Sequence, residues 1–263
     1  MITIQNYVRA KSLEDAYQLN QEKRNRIVGG MLWLKMGAGA VDTAIDLCEL
    51  GLDTIEETEE QFSLGAMVSL RQIEQHPGLN AYTHGAAADA VKDIVGVQFR
   101  NLATVGGSLW GRFGFSDVLT VFLAMDSYVE LYQGGVVPLE QFAAMKTDRD
   151  LLVRLIVKKT PGKFVYQSMR NQRTDFPVLT CALSALDGQR RAVIGARPAK
   201  AMVIRDTENL LTEKITQESA AAFANSVAEQ TPTGNNPRGS AAYRTRLIKG
   251  LVRRCALELG GME

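Results

Sequence analysis

The order of apolar and polar residues along the chain predicts a mixture of short strands and helices. Alternation, which is typical of a half-buried strand, covers residues 61–66. Ser12 and Ser116 each precede an apolar stretch with helical spacing, and both suit a helix N-cap. The predicted strands are 2–7, 26–28, 43–47, 54–56, 61–66, 127–132, 151–157, 164–169, 178–186 and 191–194. The predicted helices are 13–19, 69–75, 84–95, 116–125, 216–228 and 240–259.

Proline, glycine and aspartate indicate where these elements end. Pro77-Gly78 stops a helix, and Asp187-Gly188 favours a tight hairpin between two strands. Pro161-Gly162 is a candidate boundary between two parts of the chain. The pattern therefore predicts mixed α and β structure, with a larger N-terminal lobe up to about residue 158 and a smaller lobe after it.

Composition narrows the functional classes. The 263 residues suffice for two domains, and 30 Lys and Arg against 29 Asp and Glu give no basic excess for nucleic-acid binding. No apolar run is long enough to span a membrane, and no signal peptide is recognisable. Three scattered cysteines indicate a reducing, cytoplasmic setting and exclude an iron–sulfur site within the chain, and two histidines give no metal site.

Two glycine pairs are the first candidates for chemistry. Gly29-Gly30 follows a predicted buried strand, and Gly106-Gly107 follows a second apolar segment. Because glycine lacks a Cβ, its backbone N–H groups can approach an anion closely and form a phosphate-binding nest. Two such turns suit the diphosphate of a dinucleotide, although each pair alone is also compatible with an ordinary turn. Neither pair matches the Rossmann or P-loop pattern.

A longer pattern surrounds the second glycine pair. Residues 98–109 read QFRNLATVGGSL, and an aspartate that opens a helix and the segment LAMD at 123–126 follow. Towards the C-terminus, residues 238–244 read RGSAAYR and residues 251–254 read LVRR. Together with the first glycine pair, these motifs resemble the FAD-binding (medium) subunit of the molybdenum hydroxylases, the group of xanthine dehydrogenase and carbon monoxide dehydrogenase.

The resemblance covers nearly the whole chain and implies its architecture. The expected fold class is α+β, with a two-subdomain FAD-binding lobe and a C-terminal domain of a small antiparallel sheet plus helices. The implied domains are 1–158, with subdomains of about 1–55 and 56–158, and 159–263.

The resemblance also implies a set of FAD-binding residues and no catalytic residue or metal ligand. Two loops hold the pyrophosphate, an aspartate contacts the cofactor, a leucine packs on it and a phenylalanine lies beside the isoalloxazine ring. These residues are Val28, Gly29, Gly30, Met31, Leu32, Trp33 and Leu34 in the first loop, Thr104, Val105, Gly106, Gly107 and Ser108 in the second, and Asp117, Leu152 and Phe176.

Three of these residues also have structural interpretations. Asp117 suits the N-terminus of a helix, where the macrodipole favours an acidic side chain. Leu152 and Phe176 are also compatible with the hydrophobic core. The basic residues of the last predicted helix suit either a solvated face or a docking surface.

The chain departs from the family pattern at three places, one of which is the segment 110–115, where a loop of small residues is usual. Met31-Leu32 stands where the family has Thr-Asp, and Ser168 stands where a lysine is usual. A positive charge near the flavin stabilises its reduced form, so these departures bear on FAD affinity and potential.

The resemblance implies an FAD-dependent oxidoreductase subunit. Electrons arrive from a molybdenum-pterin subunit through an iron–sulfur subunit, pass to FAD, and leave for an acceptor such as NAD. Because this chain cannot hold the clusters itself, it needs those partner chains. A structural subunit that has lost FAD and a stand-alone flavin oxidoreductase are the alternatives.

Overall fold

The computed structural model describes residues 2–261. Within that range the strands are β1 (Ile2–Arg9), β2 (Arg26–Val28), β3 (Gly39–Asp46), β4 (Ile55–Glu57), β5 (Gln61–Gly65), β6 (Ser127–Leu131), β7 (Gly135–Pro138), β8 (Leu152–Lys158), β9 (Gly162–Arg170), β10 (Pro177–Leu186), β11 (Gln189–Gly195) and β12 (Met202–Arg205). The helices are α1 (Leu13–Gln21), α2 (Leu70–Gln75), α3 (Pro77–Tyr82), α4 (Ala86–Val91), α5 (Val97–Leu102), α6 (Val105–Trp110), α7 (Asp117–Leu123), α8 (Leu139–Ala144), α9 (Gln217–Gln230) and α10 (Ala241–Gly260).

The chain divides into two compact units. The first contains the described residues up to 72 together with 97–111 and 127–157, and the second contains 73–96, 112–126 and the described residues from 158 onward. In the first unit, β1, β3 and β2 form a parallel sheet, and β4, β5, β8, β6 and β7 form a five-stranded sheet. Apolar residues from α1, β3 and β8 share one core there, among them Ala16, Ile45 and Val153.

The second unit contains a four-stranded antiparallel sheet in the order β12, β11, β10, β9. Residues from α9 and α10 form one core with the sheet, including Phe223 and Ile248. The predicted hairpin between β10 and β11 is confirmed, because Asp187 and Gly188 have φ of 46° and 76°, as its tight turn requires.

The predicted fold class, α+β with a small antiparallel sheet and helices in the C-terminal part, is confirmed. The predicted domain limits at 158 and near 55 stay predictions. Within the described residues, no helix has both the length and the apolar character that crossing a membrane requires.

Several local predictions were wrong. The predicted end of α2 before Pro77 is confirmed, but Pro77 also begins α3, which was not predicted and where its missing N–H costs nothing. The second glycine pair lies inside α6 rather than in a turn. The short elements α5, α8, β7 and β12 were not predicted, since each is too brief to show a clear period.

Candidate functional site

The first glycine pair begins an open loop after the short strand β2, of which only the last residue is buried. Val28 ends β2 and is buried, whereas Gly29 is exposed and the chain then turns into a short 3-10 helix at Leu34–Met36. Met31 adopts the left-handed region with φ of 56°, which a residue other than glycine rarely does. The loop therefore keeps a specific, locally unfavourable backbone shape.

The same loop exposes a run of unpaired backbone donors. Among residues 2–261, the N–H groups of Gly29, Gly30, Met31 and Leu32 have no protein acceptor. Consecutive unpaired N–H groups around a left-handed residue form a nest that suits an anion. This part of the predicted site therefore leaves backbone donors available to a ligand, and phosphate binding there stays a prediction.

The second glycine segment has no such unpaired donors. Thr104 caps α6, with its Oγ1 accepting from the Gly107 N–H at 3.1 Å. The Val105 and Gly106 N–H groups donate to the carbonyls of Val68 and Ala66, each at 2.8 Å, and the Ser108 N–H donates to Thr104 at 3.0 Å. Contacts of this segment with a ligand therefore depend on hydroxyl groups and on close approach to glycine Cα atoms.

Glycines hold the two segments against each other in the first unit. A Cβ on Gly30 would lie 1.9 Å from the carbonyl oxygen of Leu102, and one on Gly29 would lie 2.8 Å from Thr104 Oγ1. A Cβ on Gly106 would lie 2.7 Å from the Ala66 carbonyl oxygen. Three of the four glycines are thus required by packing, and the structure brings the two predicted loops together.

Gly107 differs from the other three. It is exposed, and a Cβ there would meet only Thr104 Oγ1, at 3.2 Å. It occupies the third position of a capped helix, where side chains are common. Among the described residues, no backbone atom lies near enough to exclude a side chain at this position, and a role for Gly107 in cofactor binding stays a prediction.

Asp117 lies in the second unit, at the first position of α7. Its buried carboxylate pairs with Arg170 Nη2 at 2.6 Å and accepts a hydrogen bond from the Tyr166 hydroxyl. Burial raises the pKa of the Asp117 carboxyl above its ordinary value, and the Arg170 guanidinium opposes that shift. The carboxylate therefore links α7 to β9 through Arg170 and Tyr166. This role comes in addition to its favourable position at the helix N-terminus.

We expect Asp117→Asn to lower the free energy of unfolding by about 2 kcal/mol, because Arg170 loses its charged partner in a buried position. Urea titration followed by circular dichroism measures the change. The control is Glu229→Gln, an exposed charge on α9, which should change stability by less than about 0.5 kcal/mol. Equal stability of the two variants would show that the ion pair contributes nothing.

Leu152 and Phe176 have different surroundings. Leu152 is buried in β8 of the first unit, as its core interpretation expects. Phe176, in the second unit, is half-buried and meets the Phe115 ring edge-on at 4.7 Å, and the Arg238 guanidinium lies 4.7 Å from its ring centroid. Contacts of both residues with a cofactor stay predictions.

Arg170 and Arg238 take part in these contacts but were not predicted from the sequence. Arg170 follows Tyr166 and Ser168 in alternation along β9, so its position on the same face of the strand as Tyr166 was predictable once the strand was known. Arg238 pairs with Asp175 at 3.2 Å, a contact that joins distant parts of the chain. Nothing in the sequence around Asp175 and Phe176 indicated that Arg238 contacts them.

Two family models match the chain. The family described as "FAD binding domain in molybdopterin dehydrogenase" matches residues 2–159. The family described as "CO dehydrogenase flavoprotein C-terminal domain" matches residues 164–259. Together they span most of the described residues.

Similar proteins extend over the same length. The uncharacterized protein YgfM of Escherichia coli (strain K12) is 28% identical over 95% of this chain and 93% of its own. The nicotine 6-hydroxylase medium subunit of Paenarthrobacter nicotinovorans is 25% identical over 97% and 96%. A chain of carbon monoxide dehydrogenase from Hydrogenophaga pseudoflava, 20% identical, shares the fold with a TM-score of 0.87 over 99% of this chain and 98% of that one. The chain therefore belongs to the family of FAD-binding domains of molybdopterin dehydrogenases.

Proposed function

We propose that this chain is the medium, FAD-binding subunit of a molybdenum hydroxylase-type dehydrogenase. In this proposal it receives electrons from an iron–sulfur partner subunit, which takes them from a molybdenum-pterin subunit, and passes them through FAD to an acceptor such as NAD. The observation that carries the proposal is the match of both family models along one chain of medium-subunit length. The scattered cysteines support a cytoplasmic complex.

The residues of the first glycine loop fit the diphosphate of FAD. Four consecutive N–H groups at Gly29–Leu32 have no acceptor in the described protein, and the buried side chain of Val28 precedes them at the end of β2. No lysine or arginine lies between Val28 and Leu34, so the backbone dipoles supply the favourable electrostatics. Met31 and Leu32 provide no carboxylate or hydroxyl, which leaves the amides as the main donors there.

The other proposed residues position the cofactor. Thr104 keeps α6 capped while its hydroxyl hydrogen can donate to a phosphate oxygen, and the bare Cα of Gly107 leaves room for that phosphate. Asp117, Leu152 and Phe176 belong to the same proposal, with Asp117 fixing β9 through Arg170. When bound, FAD supplies electron transfer through its own ring system, so the protein needs no acid–base group.

The visible spectrum of the purified chain, before and after addition of FAD, tests this function. We expect flavin bands at about 370 and 450 nm, roughly one FAD per chain, and a higher melting temperature with FAD. Anaerobic reduction with dithionite should bleach the band at about 450 nm. Addition of NAD should restore it, whereas recovery only with oxygen or a quinone would contradict NAD as the acceptor.

A second candidate is a structural subunit that does not bind FAD. Met31-Leu32 and Ser168 favour it, since they remove a hydroxyl, a carboxylate and a cation found in the family pattern. A colourless chain whose melting temperature FAD leaves unchanged, both alone and with its partner subunits, would favour this candidate and contradict the proposed function.

A further inference from the structure

A cavity of about 530 Å³ lies in the second unit, and none of its lining residues belongs to either glycine loop. It is formed by the start of β9, the hairpin between β10 and β11, the segment before α9 and the end of α10. Its volume is within the range of small-molecule sites. Neither family match nor the proposed FAD residues assign a ligand to it.

Arg190 lines this cavity. It is half-buried, and its Nε is inaccessible to solvent and has no hydrogen-bond partner among the described residues. A buried polar group without a partner is costly, and arginine presents a planar fork of donors that matches a carboxylate. A ligand that carries a hydrogen-bond acceptor can therefore satisfy this donor.

The remaining lining defines the ligand further. Ile215 and Leu259 add apolar surface, which suits an aliphatic body. Asp187 and Glu213 also line the cavity, and in the described chain neither pairs with Arg190. Lys163 and His84 line it as well, so the charges around the cavity are mixed, and the planar fork of Arg190 is the feature that matches a carboxylate.

We propose that this cavity binds a small monocarboxylate with an apolar body, and that Arg190 holds the carboxylate. The aliphatic part lies against Ile215 and Leu259. This site is independent of FAD, since none of its residues belongs to the proposed cofactor site.

Ligand-detected NMR titration of the full chain with 4-methylpentanoate tests the proposal, with 4-methylpentanamide and inorganic phosphate as comparison probes. We expect saturable binding of the carboxylate and no binding of the amide. Arg190→Gln should weaken binding at least about tenfold, as expected for loss of a charge-assisted pair. The matched control, Arg246→Gln on the exposed face of α10, should leave it unchanged.

Arg190→Lys keeps the positive charge but lacks the planar fork of donors, so it should give an intermediate affinity. It replaces Arg190→Gln in the test if the glutamine variant does not fold. Asp187→Asn should strengthen carboxylate binding by removing a repelling charge. Absence of saturable carboxylate binding, equal affinity in Arg190→Gln, or phosphate binding as tight as the carboxylate would each overturn the proposal. None of these results depends on whether the chain binds FAD.

Discussion

Arg244→Met is expected to lower the free energy of unfolding by about 4 kcal/mol, the largest effect on stability that we predict for a single substitution. Arg244 lies on α10 and its side chain is fully buried. Within the described residues it pairs with no carboxylate, and backbone carbonyls together with one amide oxygen accept its hydrogen bonds. Burial lowers the pKa of its guanidinium.

The contacts of Arg244 explain the size of this effect. Its Nε donates to the Val178 carbonyl at 2.9 Å and to Ala196 at 3.2 Å, which joins α10 to the sheet. The two Nη atoms donate to Gly234 at 2.8 Å and to Asn236 Oδ1 at 2.6 Å, and a further bond goes to Gly239. Methionine fills similar space but leaves several buried acceptors without donors.

Urea unfolding measured by circular dichroism tests this prediction, with Arg246→Met as its matched control. Arg246 lies two residues further along α10 and is exposed, so its replacement should change stability by less than about 0.5 kcal/mol. Arg244→Lys keeps the charge but cannot reach all of the acceptors, and about half of the loss should remain. A loss below about 1 kcal/mol in Arg244→Met would contradict the structural role assigned here.

Local signals made much of the fold predictable from the sequence. Ser12, Ser116, Thr216 and Ser240 each accept a backbone hydrogen bond at the N-cap of the helix that the sequence predicts. These capping contacts span only three residues, so the sequence contains all of their information.

Contacts between distant residues were not predictable in the same way. The basic residues of the last helix were interpreted as either a solvated face or a docking surface, and Arg246, Lys249, Arg253 and Arg254 are exposed, which is compatible with both. Arg244 lies on the same helix but faces the sheet, because its acceptors come from β10 and from residues 234–239. No periodicity identifies a buried arginine that is satisfied by carbonyl oxygens.

The candidate site likewise combines features that the local sequence predicts with contacts that only the fold shows. The loop at Gly29-Gly30 after a short strand was recognisable as a candidate anion site, because strand, turn and glycine are adjacent in sequence. The contact between Gly30 and Leu102 joins segments about 70 residues apart, and only the fold reveals it. The helical state of Gly106-Gly107 was missed because two glycines disfavour a helix, and the Thr104 cap and surrounding packing override that preference.

Gly30→Ala is the second large effect that we expect. Its Cβ would lie 1.9 Å from the Leu102 carbonyl oxygen and 2.5 Å from the carbonyl carbon, and neither backbone atom can move without displacing the end of α5. The substitution should destabilise the chain by about 3 kcal/mol and weaken FAD binding at least about a hundredfold, because the loop that carries the four unpaired N–H groups must shift. Urea unfolding without FAD and fluorescence titration with FAD measure the two effects separately.

Gly107→Ala separates packing from cofactor binding, because a methyl group fits there without meeting backbone atoms. Alanine is the better helix former, so the apo chain should gain about 0.5 kcal/mol of stability. FAD affinity should nevertheless fall about tenfold, since the methyl group occupies space that the proposal gives to a phosphate. Stability and affinity thus change in opposite directions at Gly107 and in the same direction at Gly30. Unchanged FAD affinity in Gly107→Ala would remove the second glycine pair from the cofactor site, and normal stability of Gly30→Ala would contradict the packing of the two loops.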